Sequence, residues 1–187
     1  MKHIIGAISS LIVAVALVIF LSTQNIGLIF KPTIEVSNIV ELEKCKEGDY
    51  IHLEFSDAYL TEYSYGENAK FVDIDVNGQA LICIAENKIA SKIESGDFET
   101  LSIEGVLKDL SSEEAMQGIK QNYIEDFYWE LSEEEVLAMF TNLQLVSYGS
   151  QKPNIVVVIA CSVIIVAMLG LGVFCIRKII EGTRKWF

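Results

Sequence analysis

Asp73-x-Asp75-x-Asn77-Gly78 sets side-chain oxygens at the spacing that opens an EF-hand calcium loop. Such a loop closes on a bidentate Glu at its twelfth position, and that position holds Ile84. The flanks alternate with period two, as strands do, where the loop requires helices. Calcium binding is therefore not expected. A zinc site needs three or four converging ligands, and outside the apolar segments the soft donors are Cys45, His52 and Cys83. Nothing in their spacing brings them together. The remaining histidine, His3, belongs to the N-terminal tail. Nucleophilic catalysis has no Gly-x-Ser-x-Gly elbow, Ser-x-x-Lys pair or Gly-rich phosphate loop to rest on. Carboxylates are plentiful, but Glu113, Glu114, Glu133, Glu134 and Glu135 sit where helices should begin, and negative charge is favoured there by the helix dipole. No catalytic, cofactor-binding or metal-binding residue is expected.

Aromatic residues are the more suggestive group. All seven tyrosines lie between the two apolar runs. Tyr63 and Tyr65 fall near a turn, and Tyr128 and Trp129 at the end of a helical pattern. Tyr and Trp supply large contact area at low entropic cost, so these four form a candidate interaction surface. Tyr123 and Phe127 read as core.

The elements that hold these residues follow from periodicity. Residues 71–76 and 79–85 alternate on either side of Asn77-Gly78, which accepts the positive φ values of a type I′ turn. The hairpin register pairs Val76 with Gln79, Ile74 with Leu81 and Val72 with Cys83. Val72, Ile74, Leu81 and Cys83 then face a core, while Asp73 and Asp75 point away from it. Strands are expected at 50–60, 100–107 and 144–148, with alternation also starting after Pro32. A short helix fits 87–94, with Asn87 as cap, Ile89 and Ile93 inward and Gly96 beyond its end. Ser111-x-x-Glu114 and Ser132-x-x-Glu135 both read as capping boxes. The helices they open would bury Met116, Ile119, Tyr123 and Phe127, and Val136, Met139, Phe140 and Leu143. The fold class is α+β. The order of strands, with a helix after the third, looks like a small OB-like β-barrel with an added helical pair; a helix-covered antiparallel sheet is the alternative.

Two charge-free apolar runs, 4–21 and 155–176, bracket this domain. At about 1.5 Å per residue each approaches the thickness of a bilayer core. The first reads as an uncleaved anchor, because its apolar stretch exceeds that of a secretory signal and no small-x-small site follows it. Gly6, Ser10 and Ala14 form a helix-packing stripe. Its partner could be the second span, with Ala160 and Ala167, another copy of the chain or another protein.

Charge sets the orientation. Residues 31–152 hold 25 acidic and 9 basic residues, a balance of −16, whereas the ends carry +4. Arg177, Lys178, Arg184 and Lys185 follow the second span and place both termini in the cytoplasm. Together with Trp186 and Phe187 they form a membrane-interface anchor. The expected layout is a cytoplasmic tail at 1–3, spans at 4–21 and 155–176, an extracytoplasmic domain at 32–152, and a basic cytoplasmic tail at 177–187. This layout resembles that of uncharacterised two-pass membrane proteins of Gram-positive bacteria with an extracytoplasmic OB-like domain. An acidic domain repels nucleic acid. Cys45 and Cys83 fit a disulfide in an oxidising compartment or two free thiols equally well. With no ionisable residue inside either span, ion conduction by the chain alone is excluded. Three functions remain: an interaction or assembly module with a membrane-protein partner or a second copy of itself, a membrane-bound hydrolase, and an accessory subunit of a transporter.

Overall fold

The computed structural model describes residues 2–184, and Lys185, Trp186 and Phe187 lie outside the described residues. In chain order the elements begin with α1 (Lys2–Ser22), β1 (Thr33–Val36), α2 (Ile39–Leu42), β2 (Tyr50–Phe55), β3 (Ala58–Tyr65), β4 (Ala69–Val76) and β5 (Gln79–Glu86). They continue with α3 (Asn87–Ser95), β6 (Leu101–Lys108), α4 (Glu114–Phe127), α5 (Glu133–Ala138), β7 (Gln144–Val146) and α6 (Ile155–Arg184). Two units result, one from the terminal segments and one from Lys31–Gln151.

In the first unit α1 packs on α6. Ser10 and Ala14 are buried on α1, as is Cys175 on α6. The close approach depends on small groups: a Cβ on Gly172 would sit 3.0 Å from Ser10 Oγ, and one on Gly6 3.1 Å from Cys175 Sγ. Ser10 Oγ donates to the Ala7 carbonyl at 3.0 Å, so its polar atom stays within its own helix. Ala160 and Ala167 are exposed on α6, so the packing residues there are Gly172 and Cys175. Most other apolar side chains of both helices face outward. His3–Ser22 and Ile155–Glu181 are each long and apolar enough to cross a membrane. The helix of the second run continues beyond 176, and there Glu181 pairs with Arg177 at 3.0 Å and with Lys178 at 2.9 Å.

In the second unit seven strands form one mixed sheet in the order β1-β2-β6-β7-β5-β4-β3. The β1–β2 and β5–β7 ladders are parallel and the others antiparallel. The hairpin forms in the expected register, with Val72 opposite Cys83. Asn77 at φ 54° and Gly78 at φ 87° supply its turn. The segment 50–60 is two strands rather than one. Ser56 and Asp57 break it, and β3 then pairs with β4 at the far edge of the sheet. Tyr63 and Tyr65 accordingly lie in an edge strand, Tyr65 at its end beside the turn. The sheet curls, because Ile51, Leu53 and Phe55 of β2 share a core with Val72, Ile74 and Val76 of β4. No hydrogen-bonded ladder joins the edge strands β1 and β3 among the described residues, so the sheet is open and not a closed barrel.

Both faces of this sheet are covered. Leu42 of α2 and Ala90 and Ile93 of α3 complete the core that contains Leu81 and Cys83. Met116 and Ile119 of α4 and Val136 of α5 pack with Phe71, Ile82, Ile84 and Phe140 on the other face. Strand β5 is buried from Ala80 to Ala85, as an unbroken apolar run requires. The Ser132 capping box forms in full. The Ser111 box does not: α4 starts at Glu114 and Glu113 is its cap residue, while the Ser111 amide donates to Asp109. Helix α5 stops at Ala138, so Met139 falls at its C-cap and Leu143 joins the opposite core.

Candidate functional site

The side chain with the least comfortable surroundings is Asp73. Alternation along β4 gives Asp73 the same face as Phe71, and its partner across the hairpin is Ile82. With α4 packed over that face, Asp73 is only 6% exposed: it points away from the core of Val72 and Cys83, as the hairpin register implies, and lies under the second layer. Helical spacing then sets Ile119, Tyr123 and Asp126 along one side of α4. The Tyr123 hydroxyl donates to Asp73 Oδ2. Oδ1 is buried with no hydrogen-bond partner. Burial, with the charge of Asp75 adding to it, raises the Asp73 carboxyl from 3.8 to about 6.

A cleft of about 180 Å³ opens between β3 and α4 at this point. Tyr59, Thr61 and Tyr63 line it from β3, Asp73 from β4, and Tyr123 and Asp126 from α4. Tyr63 is half-buried and runs across α4 at Gly118, where any Cβ would overlap its hydroxyl. That is why this helix carries a glycine in its second turn. Thr61 Oγ1 donates to the Phe71 carbonyl at 2.8 Å, satisfying a strand acceptor where the β3–β4 register shifts.

The aromatic candidates separate into two groups. Tyr65 is 44% exposed and meets Phe71 and Tyr148 edge-on, at 6.0 and 6.4 Å. Tyr128 and Trp129 follow α4, their ring centroids 4.1 Å apart, and Trp129 is 81% exposed. Tyr123 and Phe127 pack on the core, as their spacing implied. Gly6, Ser10 and Ala14 face α6, so the chain's own second helix occupies that stripe. Arg177 and Lys178 are engaged with Glu181, and Arg184 ends α6.

The soft donors stay apart. Cys45 and Cys83 are free thiols, the first donating to the Glu41 carbonyl and the second enclosed in the core, where burial raises its pKa. His52 pairs through Nδ1 with Glu35 across the β1–β2 ladder, a contact that raises the pKa of the imidazole against the opposing effect of burial. Among the described residues no three His, Cys, Asp or Glu side chains converge as metal ligands do. The chain matches no protein-family model, no curated protein and no solved structure. Sequence reasoning missed Asp73 as a site residue. The signal was available in Ala80, Ile82 and Ile84, whose shared face could not have been left in water.

Proposed function

We propose that this chain is a membrane-anchored interaction module whose OB-like domain lies outside the cytoplasm and binds a partner protein through exposed aromatic side chains. The Tyr128–Trp129 pair carries this reading. An indole left 81% exposed on a strongly acidic domain gains most when a partner desolvates it. The negative balance of residues 31–152 suits a partner with a basic contact surface. Both termini are cytoplasmic on this reading, following Arg177 and Lys178 beyond the second span.

The OB-like assignment has its own support. Strands β2 and β3 are consecutive across two residues and take the two sides of the curled sheet. Taken as one bent strand, they pair with β6 through the first half and with β4 through the second. Helix α3 connects β5 to β6, and the last strand, β7, runs parallel to β5. OB barrels hold extended ligands on the outer face of their second and third strands. Here α4 and α5 pack over the outer face of β4 and β5, which leaves contact to the helices themselves.

The test is co-purification from mild detergent after cross-linking in intact cells. A Trp129→Ala, Tyr128→Ala double variant is expected to lose its cross-linked partner while keeping the wild-type melting temperature. A cysteine placed at Glu67 should react with an impermeant reagent before lysis. Retention of the same partner at wild-type yield, or labelling only after lysis, would overturn the reading. A transporter recovered as the partner would narrow it to an accessory subunit.

A further inference from the structure

We propose that the 3₁₀ turn Ile26–Phe30 docks on lipid in the bilayer interface, with the Phe30 ring inserted beneath the headgroups. No Asp, Glu, Lys or Arg occurs between His3 and Phe30, so the apolar stretch continues past the end of α1. The turn belongs to the unit of the two long helices and not to the domain. Ile26, Leu28 and Ile29 are half-buried within that unit, whereas Phe30 is 83% exposed. A phenyl ring so exposed is unfavourable in water and favourable at the headgroup–acyl boundary.

The level of the turn follows from how α1 and α6 pack. They run antiparallel, since Gly6 lies against Cys175 and Gly172 against Ser10. From Ser10, α1 continues to Ser22, about 18 Å at 1.5 Å per residue. From Gly172, α6 reaches back to Ile155, about 26 Å on the same scale. The first turns of α6 therefore extend about 8 Å beyond the end of α1. Ile155, Val156, Val157 and Ile159 are exposed there, so hydrocarbon is required at that level. The turn follows α1 into this slab.

The polar atoms of the connection suit the same place. The last carbonyls of a helix lack partners within it. Here Ser22 Oγ donates to the Ile19 carbonyl and Thr23 Oγ1 to that of Phe20, both at 2.7 Å, and the Gln24 amide donates to Leu21 at 3.1 Å. The amides of Ile26 and Leu28 donate to the carbonyls of Gln24 and Asn25. A helix end whose backbone groups are met by the chain itself tolerates scarce water. Lys31, the first charged residue after Lys2, marks where the chain leaves apolar surroundings. The proposal rests on reading α1 and α6 as membrane spans; it depends neither on the partner nor on the side that the domain faces.

Depth-dependent fluorescence quenching tests it, on the full chain in phosphatidylcholine vesicles. Trp129→Phe and Trp186→Phe together remove the two native indoles, and Phe30→Trp or Val166→Trp is then added singly. Val166 lies at the middle of 155–176 and is 70% exposed, so an indole there reports the hydrocarbon. Phe30→Trp is expected to emit at shorter wavelength than free tryptophan. Lipid brominated at carbons 6 and 7 should quench it more than lipid brominated at carbons 11 and 12. Val166→Trp should show the opposite order. If Val166→Trp is quenched and Phe30→Trp is not, the turn is off the membrane and the proposal is overturned while the spans stand. If neither is quenched, the spans fall and the proposal falls with them. Emission from Phe30→Trp at the wavelength of free tryptophan, or stronger quenching from carbons 11 and 12, would also overturn it.

Discussion

Asp73 holds its charge where burial opposes it, and the linkage follows from that. Its carboxyl is raised from 3.8 to about 6 in the folded chain. The folded state therefore binds more protons than the unfolded state between those two values, and stability falls as pH rises through that window. Below the unfolded pKa the penalty is absent; above about pH 6 it is present in full, on the order of 2–3 kcal/mol. Asp73→Asn should accordingly stabilise the chain by about 1–3 kcal/mol at pH 7.5, because an amide oxygen can still accept from Tyr123. The gain should vanish near pH 4. Thermal melts of both forms across pH 4–8 check it, and a gain independent of pH would contradict the assignment. A residue that lowers stability while lining a cleft fits a site kept for function. In the sequence Asp73 looked equivalent to Asp75, but their roles differ: Asp75 is exposed and accepts from the Gly78 amide at 2.6 Å, so it serves the turn.

Between elements, a fit closed by backbone on both sides lies where β6 meets β7. Gly105 sits one residue before Val106, which pairs with Val146, and a Cβ on Gly105 would overlap the Val146 carbonyl and crowd the Ser147 Cα at 2.9 Å. The atoms it meets are backbone, so no rotamer change relieves them. Gly105→Ala should destabilise the domain by about 2–4 kcal/mol, measured by denaturant melts, with the largest loss of amide protection in β7. Local signals were legible wherever the chemistry is local. Asn77-Gly78 set a register because both residues accept positive φ and a two-residue loop leaves one pairing of the flanking strands, and Ser132 with Glu135 capped a helix because both partners lie within one turn. Ser111 does not cap: α4 starts three residues later, at Glu114, and the Ser111 amide donates to Asp109. The break at Ser56-Asp57 was not legible from alternation alone, since the pattern continues through the bend.

For the whole molecule, hydropathy located both long apolar helices, because nothing but length and composition decides them. What the pattern could not supply was which helices cover the second face. Alternation identifies one buried side of a strand, and the run from Ala80 to Ala85 pointed to two. The α4–α5 layer, and with it the cleft, depended on which helix lands on which face, a long-range choice that no single window holds.

One consequence of this arrangement is thermodynamic. Lys31–Gln151 is connected at both ends to helices that pack on one another. When the domain unfolds, its ends remain clipped, and the chain can explore only closed loops. A covalent closure of about 120 residues lowers the entropy of the unfolded chain enough to stabilise the fold by up to about 5 kcal/mol. A helix pair that stays associated acts as the same kind of staple, without sulfur chemistry and therefore in any redox environment. The excised domain should melt about 10 °C or more below the same domain in the full chain. A Ser10→Leu substitution, which drives a branched side chain toward Gly172, should move the full chain part of the way to the excised value. Equal melting temperatures for the two forms would show that the clip opens before the domain does. Otherwise the two spans stabilise, as well as anchor, a domain whose sequence reserves a buried charge.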